Sequence, residues 1–368
     1  MDKQGKVLHI ALSHGGGVEI YTRMLIGHTS DIFDTVLVCS SEYNKALLPE
    51  SCTIYELDVP REISPLKDLK ATTLIRKIIK KEKPNVLYCH SSMAGAVGRI
   101  AAIGIDCKVV YNPHGWSFDM EISSKKKAFY RMLEKSLAKI TNKIITISEY
   151  EKNAALSNWI CKEEKIQTIL NGIDMEKCHA AKSNRSDFGY SDKNFIVGCC
   201  ARISEQKDPL LFAEVAGSIA QKCSEARFIW VGDGEMKTDF VTALKKYNVY
   251  EKTLITGWVD NPCEYISLFD IAVLFSKWEG FGLCLAEYLA AGKPVVATNT
   301  GAISEVLKEA EYAKVSDSRN AEFLAELVLS YKEFENIEEV RSKCIQSSEK
   351  FDFGITAEKT VEVIYSLL

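Results

Sequence analysis

No run of 18 apolar residues occurs in this 368-residue chain, so no membrane-spanning helix is expected. No C-x-x-C pair occurs either. The 12 cysteines are scattered, and Cys39, Cys89, Cys199 and Cys200 lie inside apolar, strand-like segments. That usage reads as buried thiols in a reducing cytosol, not as disulfides or zinc ligands. No basic motif is interleaved with aromatics, which argues against nucleic acid as a partner. The opening MDKQGKVLHIALSHGGG has too short an apolar stretch for a signal peptide and runs straight into a strand. Internal repeats and low-complexity tracts are also missing.

What is present fits an ordinary soluble composition, 46% apolar and 26% charged, long enough for two domains. Charge is unevenly divided, about +4 over residues 1–180 and −8 over 181–368. A basic front half suits an anionic surface or acceptor, although such asymmetry also arises without function. Short apolar runs at 7–12, 35–39, 86–90, 109–113 and 144–147 read as strands. So do runs at 196–200, 227–231, 254–256, 271–275 and 294–297. Helical patterns at 69–81, 126–139, 209–222 and 237–247 lie between them. Near-continuous apolar strands alternating with helices mean parallel sheets covered on both faces. The expected class is α/β, with two Rossmann-like doubly wound parallel-sheet domains facing across a cleft. The polar stretch 175–193 is the expected seam, and ligands should sit off the carboxyl ends of the strands.

Four places carry residues suited to chemistry. The first strand ends in Ser13-His14-Gly15-Gly16-Gly17 before a helix opens at Val18-Glu19. A strand, glycine loop and helix let backbone N–H groups approach phosphate. The loop lacks a full G-x-G-x-x-G, and by itself it would also suit a dinucleotide. Arg202 and Lys207 stand five apart after the strand at 196–200. Such cations suit a diphosphate and the charge that grows on it as it departs; the plainer reading is a surface pair between Arg202 and Glu205. His114 ends the strand at 109–113 and precedes Gly115. His90 ends the strand before that and is expected on the acceptor side. Finally, Glu279 and Glu287 stand eight apart across a glycine-containing loop that runs into a helix at Leu283. Gly280 and Gly282 permit close backbone approach. The helix N-terminus suits phosphate, and the two carboxylates suit sugar hydroxyls.

The stretch from Trp278 to Glu305, WEGFGLCLAEYLAAGKPVVATNTGAISE, resembles the Glu, seven residues, Glu signature of retaining glycosyltransferases of family 4, glycosyl transferases group 1. With the other motifs in family order, the resemblance runs from Gly15 to Glu305. It implies a GT-B fold, an acceptor-binding domain at 1–180 and a nucleotide-sugar-binding domain at 190–350. It also implies a final helix, 351–368, that crosses back. It implies donor contacts from Gly15, Gly16, Gly17, Gly280, Phe281, Gly282, Leu283 and Glu287. Catalytic roles would fall to Glu279, His114, Arg202 and Lys207. The family usually has Gly-Arg and Lys-Gly where this chain reads Ala201-Arg202 and Lys207-Asp208; the cations are kept and the backbone shape differs.

No D-x-D pair occurs, so no metal or other cofactor is expected, with Arg202, Lys207 and the helix N-terminus taking the cation's place. The implied reaction moves a hexose or N-acetylhexosamine from a nucleotide donor, most often UDP-linked, to a glycan or lipid-linked saccharide of a bacterial surface polysaccharide. Nothing marks a carboxylate nucleophile, so same-face attack is preferred to double displacement. The alternatives are a nucleotide-sugar 2-epimerase or sugar synthase on the same fold, a dinucleotide-dependent oxidoreductase, and a catalytically silent sugar-binding subunit. Residues 124–143 set Lys127, Arg131, Lys135, Lys139 and Lys143 at four-residue spacing, beside Phe129, Leu133, Leu137 and Ile140. Such a helix either packs on a core with a solvated basic face or lies on an anionic membrane surface. The expected location is cytoplasmic, peripheral on the inner face of the cytoplasmic membrane.

Overall fold

The computed structural model describes residues 3–13, 15–58, 65–334 and 336–368; His14 lies outside them. The chain forms two compact units. The first holds residues up to Gly172 together with Phe353–Leu368, and the second holds Ile173–Asp352.

In the first unit the strands are β1 (Lys6–Ala11), β2 (Asp34–Cys39), β3 (Thr53–Glu56), β4 (Val86–His90), β5 (Lys108–Asn112), β6 (Lys143–Thr146) and β7 (Ile166–Thr168). They form one sheet in the order β3-β2-β1-β4-β5-β6-β7, and every pairing is parallel. The strand order reverses between β1 and β4, which is where such sheets open a crevice for ligands. Successive residues alternate between faces. Leu8, Ile10, Leu87 and Cys89 join one core cluster, while Val7, Val86 and Tyr88 join the other with Phe353, Ala357 and Ile364. The helix Phe353–Tyr365 thus covers a face of the first sheet beside the helix Gly17–Thr29.

The second unit carries β8 (Phe195–Cys200), β9 (Ala226–Val231), β10 (Thr253–Ile255), β11 (Ile271–Leu274), β12 (Val295–Thr298) and β13 (Ala313–Ser316). Their order is β10-β9-β8-β11-β12-β13, again wholly parallel. The switch point falls between β8 and β11. The first unit ends ahead of residue 180 because Ile173 N donates to Phe351 O at 2.8 Å. Met175 and Cys178 are then buried, with the Cys178 and Cys263 Sγ atoms 2.6 Å apart. The stretch 175–193 is therefore not a bare linker: it forms a helix, Met175–Ala180, and a short turn, Arg185–Phe188. Polar residues face water there, which is why no apolar period shows.

Three strands, β3, β7 and β13, escape the sequence reading. All are three or four residues long and mostly half-exposed, and all three lie at sheet edges. An edge strand buries too little to need a continuous apolar run. The 12 cysteines are free thiols, and most are buried in the cores.

Candidate active site

In the second unit the chain leaves β8 through residues 201–204 and a turn, Glu205–Lys207. Asp208, at φ 46°, then caps the helix Pro209–Lys222 by accepting from Leu211 N at 3.3 Å. This turn directs Lys207 inward. Its Nζ forms an ion pair with Glu279 Oε2, and Ser276 Oγ donates to the same oxygen at 3.2 Å. Burial opposes the Lys207 ammonium, but the Glu279 carboxylate outweighs it and holds the pKa above its usual value.

The loop carrying Glu279 is pinned by backbone groups. Lys277 N donates to Gln206 O at 2.7 Å, and Ala302 N donates to Glu279 O at 3.2 Å. Gln206 Nε2 donates to Trp278 O at 3.0 Å and Thr300 Oγ1 to Lys277 O at 2.9 Å. Gly301 sits at φ 55°, and a Cβ there would lie 1.7 Å from Glu279 O. Gly301→Ala is therefore expected to push the Glu279 loop away and to destabilise the second unit by roughly 3 kcal/mol or more, through strain and overpacking together. Urea unfolding and turnover measured on the same variant check this.

Gly282, at φ 81°, begins the helix Leu283–Ala290, which has no side-chain cap. Leu285 N donates to Gly282 O at 2.8 Å, and no side chain caps the amides before it. Glu287 stands on this helix and makes no side-chain hydrogen bond to any described residue. Burial raises its carboxyl to about pH 7, partly offset by Lys177. A half-buried carboxylate with a raised pKa and no hydrogen-bond partner among the described residues is characteristic of functional sites.

Two of the expected site residues, Phe281 and Arg202, have partners within the second unit. The Phe281 ring is 2% exposed and packs edge-on to Phe351 at 5.6 Å, so it anchors the loop and leaves only backbone for a ligand. Arg202 is half-exposed and pairs with Glu235 through Nη2 at 3.0 Å and Nε at 3.1 Å, not with Glu205, which pairs with Lys277 at 3.5 Å. The structure brings Lys207, Glu279 and Ser276 together and leaves Arg202 at the surface.

Arg319 gave no sequence signal, because it lies in a polar loop after β13. It donates to Phe275 O and Ser276 O at 2.9 Å each and to Thr298 Oγ1 at 3.3 Å. Its Nη2 also reaches Asp208 Oδ2 at 2.6 Å. One guanidinium thus ties the ends of β11 and β12 to the helix cap that follows Lys207.

In the first unit the glycine loop follows β1. Gly15 and Gly16 have φ 67° and 88°, with open space where a Cβ would stand, so backbone conformation and not crowding requires glycine there. The Gly15 amide already donates to Glu19 Oε2 at 2.7 Å. Glu19 Oε1 accepts from Asn44 N at 3.1 Å and lies 3.6 Å from Arg23. One amide expected to face a ligand is therefore taken by the loop's own buried carboxylate.

At the ends of β4 and β5, two residues other than glycine adopt positive φ, Ser91 at 78° and His114 at 50°. Ser91 Oγ and Asn112 Nδ2 are buried without a hydrogen-bond partner. Strain and unmet polar atoms clustered at strand ends point to function. His114 is partly exposed, its N donates to Asn112 Oδ1 at 3.0 Å, and its Nε2 lies 3.3 Å from His90 Nδ1. His90 is fully buried, so it does not line an acceptor surface as the sequence suggested; it stands behind His114.

Two family models match the chain in succession: Glycosyltransferase Family 4 over residues 15–177 and Glycosyl transferases group 1 over residues 181–351. The chain belongs to this glycosyltransferase family. It is 33% identical over 249 residues to the UDP-Gal:alpha-D-GlcNAc-diphosphoundecaprenol alpha-1,3-galactosyltransferase of Escherichia coli, a match covering 65% of this chain and 64% of that protein. It is 28% identical over 279 residues to the Escherichia coli O-antigen biosynthesis glycosyltransferase WbnH, covering 75% of each. Among solved structures, Anabaena HepE in complex with UDP and glucose superposes with a TM-score of 0.83 at 20% identity, over 99% of this chain and 100% of that one. That likeness shows the fold, GT-B.

Proposed function

We propose that this glycosyltransferase transfers a hexose or N-acetylhexosamine from a UDP-sugar to a lipid-linked or growing saccharide of a bacterial surface polysaccharide, with retention and without a metal. The observation that carries the reading is the grouping of the Lys207–Glu279 pair, an uncapped helix N-terminus and the unpartnered Glu287 in one unit. The names of the relatives support the substrate class: one uses UDP-Gal and a lipid diphosphate, another builds O-antigen. The epimerase, synthase and silent-subunit alternatives are not favoured.

In this reading the diphosphate meets the amides of Leu283 and its neighbours, with Lys207 beside it, while Arg202 exchanges Glu235 for a phosphate oxygen. Fixed cations and amides stabilise the charge that develops on the leaving group. Glu279 accepts hydrogen bonds from the sugar hydroxyls near C3 and C4, and Glu287 from the ribose. His114 contacts the transferred sugar. The bond from C1 to the phosphate oxygen breaks as the acceptor oxygen bonds C1 on the same face, and the acceptor proton passes to the departing phosphate oxygen.

A thermal-shift panel of UDP, GDP, UDP-sugars, GDP-mannose and NAD, each with magnesium or with EDTA, tests the donor. A ligand at about 100 times its Kd adds roughly 2.7 kcal/mol of apparent stability. A shift with UDP-sugar that EDTA does not remove is expected; a shift with NAD alone contradicts the reading.

We also propose that the first unit docks on anionic lipid. The helix Ser124–Leu137 is held inward by Leu137 and by Glu134, whose Oε2 accepts from the buried Arg99 at 2.8 Å. Outward it leaves Lys125, Lys126 and Lys135, with Lys139 in the turn that follows, beside Phe129 and Met132, 47% and 61% exposed. Leu137 is buried while Phe129 and Ile140 are exposed, so the apolar stripe is divided between core and surface. Each lysine near a charged bilayer is worth about 1 kcal/mol. Flotation on vesicles containing anionic lipid is expected to exceed that on neutral vesicles, and Lys125→Glu with Lys126→Glu to abolish the difference. Equal recovery of the wild type on both contradicts docking.

A further inference from the structure

Two buried imidazoles and a half-buried one form a line through the first unit. His9 on β1, His90 on β4 and His114 after β5 are joined by His9 Nδ1···His90 Nε2 at 3.1 Å and His90 Nδ1···His114 Nε2 at 3.3 Å. Adjacent rings stack, with centroids 5.4 and 5.5 Å apart. The line crosses the switch point between β1 and β4 on the face covered by Tyr21 and Phe353, whose rings are 5.5 Å apart. The groups packed against it are Tyr21, 4.6 Å edge-on to His114, Tyr88, 4.1 Å from His90, and Asn112. None is a carboxylate. Burial with no counter-charge holds all three imidazoles neutral, His9 and His114 down to about 3 and His90 well below the usual value.

A neutral imidazole carries one proton, so a chain of three admits two directions. In one, His9 Nδ1–H donates to His90 Nε2, His90 Nδ1–H donates to His114 Nε2, and His114 carries its proton on Nδ1. In the other, every donor is reversed and the His114 Nδ1 is a bare lone pair. The far end decides between them. His9 is 1% exposed, and no described residue bonds its Nε2. A buried N–H left unpaired is rarer and costlier than an unused lone pair. The first direction leaves only a lone pair there.

We propose that His9 and His90 are positioning residues that fix His114 as its Nδ1–H tautomer, so that His114 offers a hydrogen-bond donor to a hydroxyl oxygen of the transferred sugar. The proposal rests on the sugar-contacting role given to His114 above. It explains why a buried polar line runs behind that residue: the chain sets which nitrogen holds the proton and restrains the ring, as partners behind a reactive histidine do. No proton leaves the enzyme in this role.

The test has two parts. Long-range nitrogen–proton correlation spectra of the ligand-free protein with ¹⁵N-histidine, assigned through single substitutions, read the tautomer directly. His114 is expected as Nδ1–H across pH 6–8, and an Nε2–H tautomer overturns the proposal. In steady-state kinetics, His90→Leu is expected to lower kcat by about 10–100-fold, with the donor KM changed less than about threefold. His90→Asn, whose amide N–H reaches the place of Nδ1–H, is expected to restore most of that loss. Wild-type kcat in His90→Leu, or no recovery in His90→Asn, overturns the proposal. If the wild type turns over no UDP-sugar, the transferase reading fails, and the tautomer measurement still judges the relay.

Discussion

Glu279→Gln is expected to lower kcat by about 10²–10³-fold, equivalent to roughly 3–4 kcal/mol of transition-state stabilisation. The substitution keeps the shape and the Ser276 contact but removes the charge that Lys207 answers. Stability should fall much less, by about 1–2 kcal/mol, because the Lys207 side chain is 15% exposed and its ammonium keeps a polar neighbour in the glutamine. Lys207→Met is expected to produce a similar loss of kcat. The double variant should be far less than additive, since each partner needs the other. Rate and unfolding measured on the same preparations separate the two effects. Unchanged turnover in Glu279→Gln removes the carboxylate from the mechanism and leaves the ion pair as a structural brace.

Glu287→Gln is expected to make the protein more stable at pH 8 while weakening donor binding. Folding raises this carboxyl to about 7, whereas an unperturbed glutamate titrates near ~4.3. The native state therefore holds the proton more tightly than the unfolded chain does. Ionised Glu287 is a cost that is fully present above the folded pKa and disappears as the pH falls through the unfolded one. A difference of this size corresponds to on the order of 3 kcal/mol at pH 8, shrinking below about 1 kcal/mol by pH 5. Urea unfolding of both proteins at the two pH values reads it. Loss of a charged acceptor for ribose should weaken UDP binding by about 10–100-fold. A residue that destabilises its own fold and strengthens ligand binding is placed for function. Equal stability at pH 8 would mean that the carboxylate is solvated, and that burial does not set its proton affinity.

Much of this was legible in the sequence, for physical reasons. Central parallel strands are buried on both faces and must be apolar along their length. Segments such as 86–90 and 196–200 therefore announced themselves, while the short, half-exposed β3, β7 and β13 did not. The Glu279–Glu287 spacing was legible because a glycine loop and an apolar helix bracket it. What stayed hidden depends on contacts between distant segments. Arg319 is an ordinary arginine in a polar loop until the fold sets it against Asp208 and Ser276. Gly301 is one glycine of a turn until the Glu279 carbonyl is found where its Cβ would be. His9 looks like a polar interruption of a strand until β4 places His90 beside it. The surface pair weighed for Arg202 was with Glu205, which is near in sequence, whereas Glu235 is near in space.

The account is tested most directly by the configuration of the product. The UDP-sugar selected by thermal shift is incubated with the protein and a short-chain lipid diphosphate bearing N-acetylglucosamine, with EDTA present. The new anomeric proton is then read by NMR. An α-linked product from the α-configured donor is the predicted result. A β-linked product would contradict same-face attack at the Glu279 site, and UDP release with no product formed would contradict the acceptor.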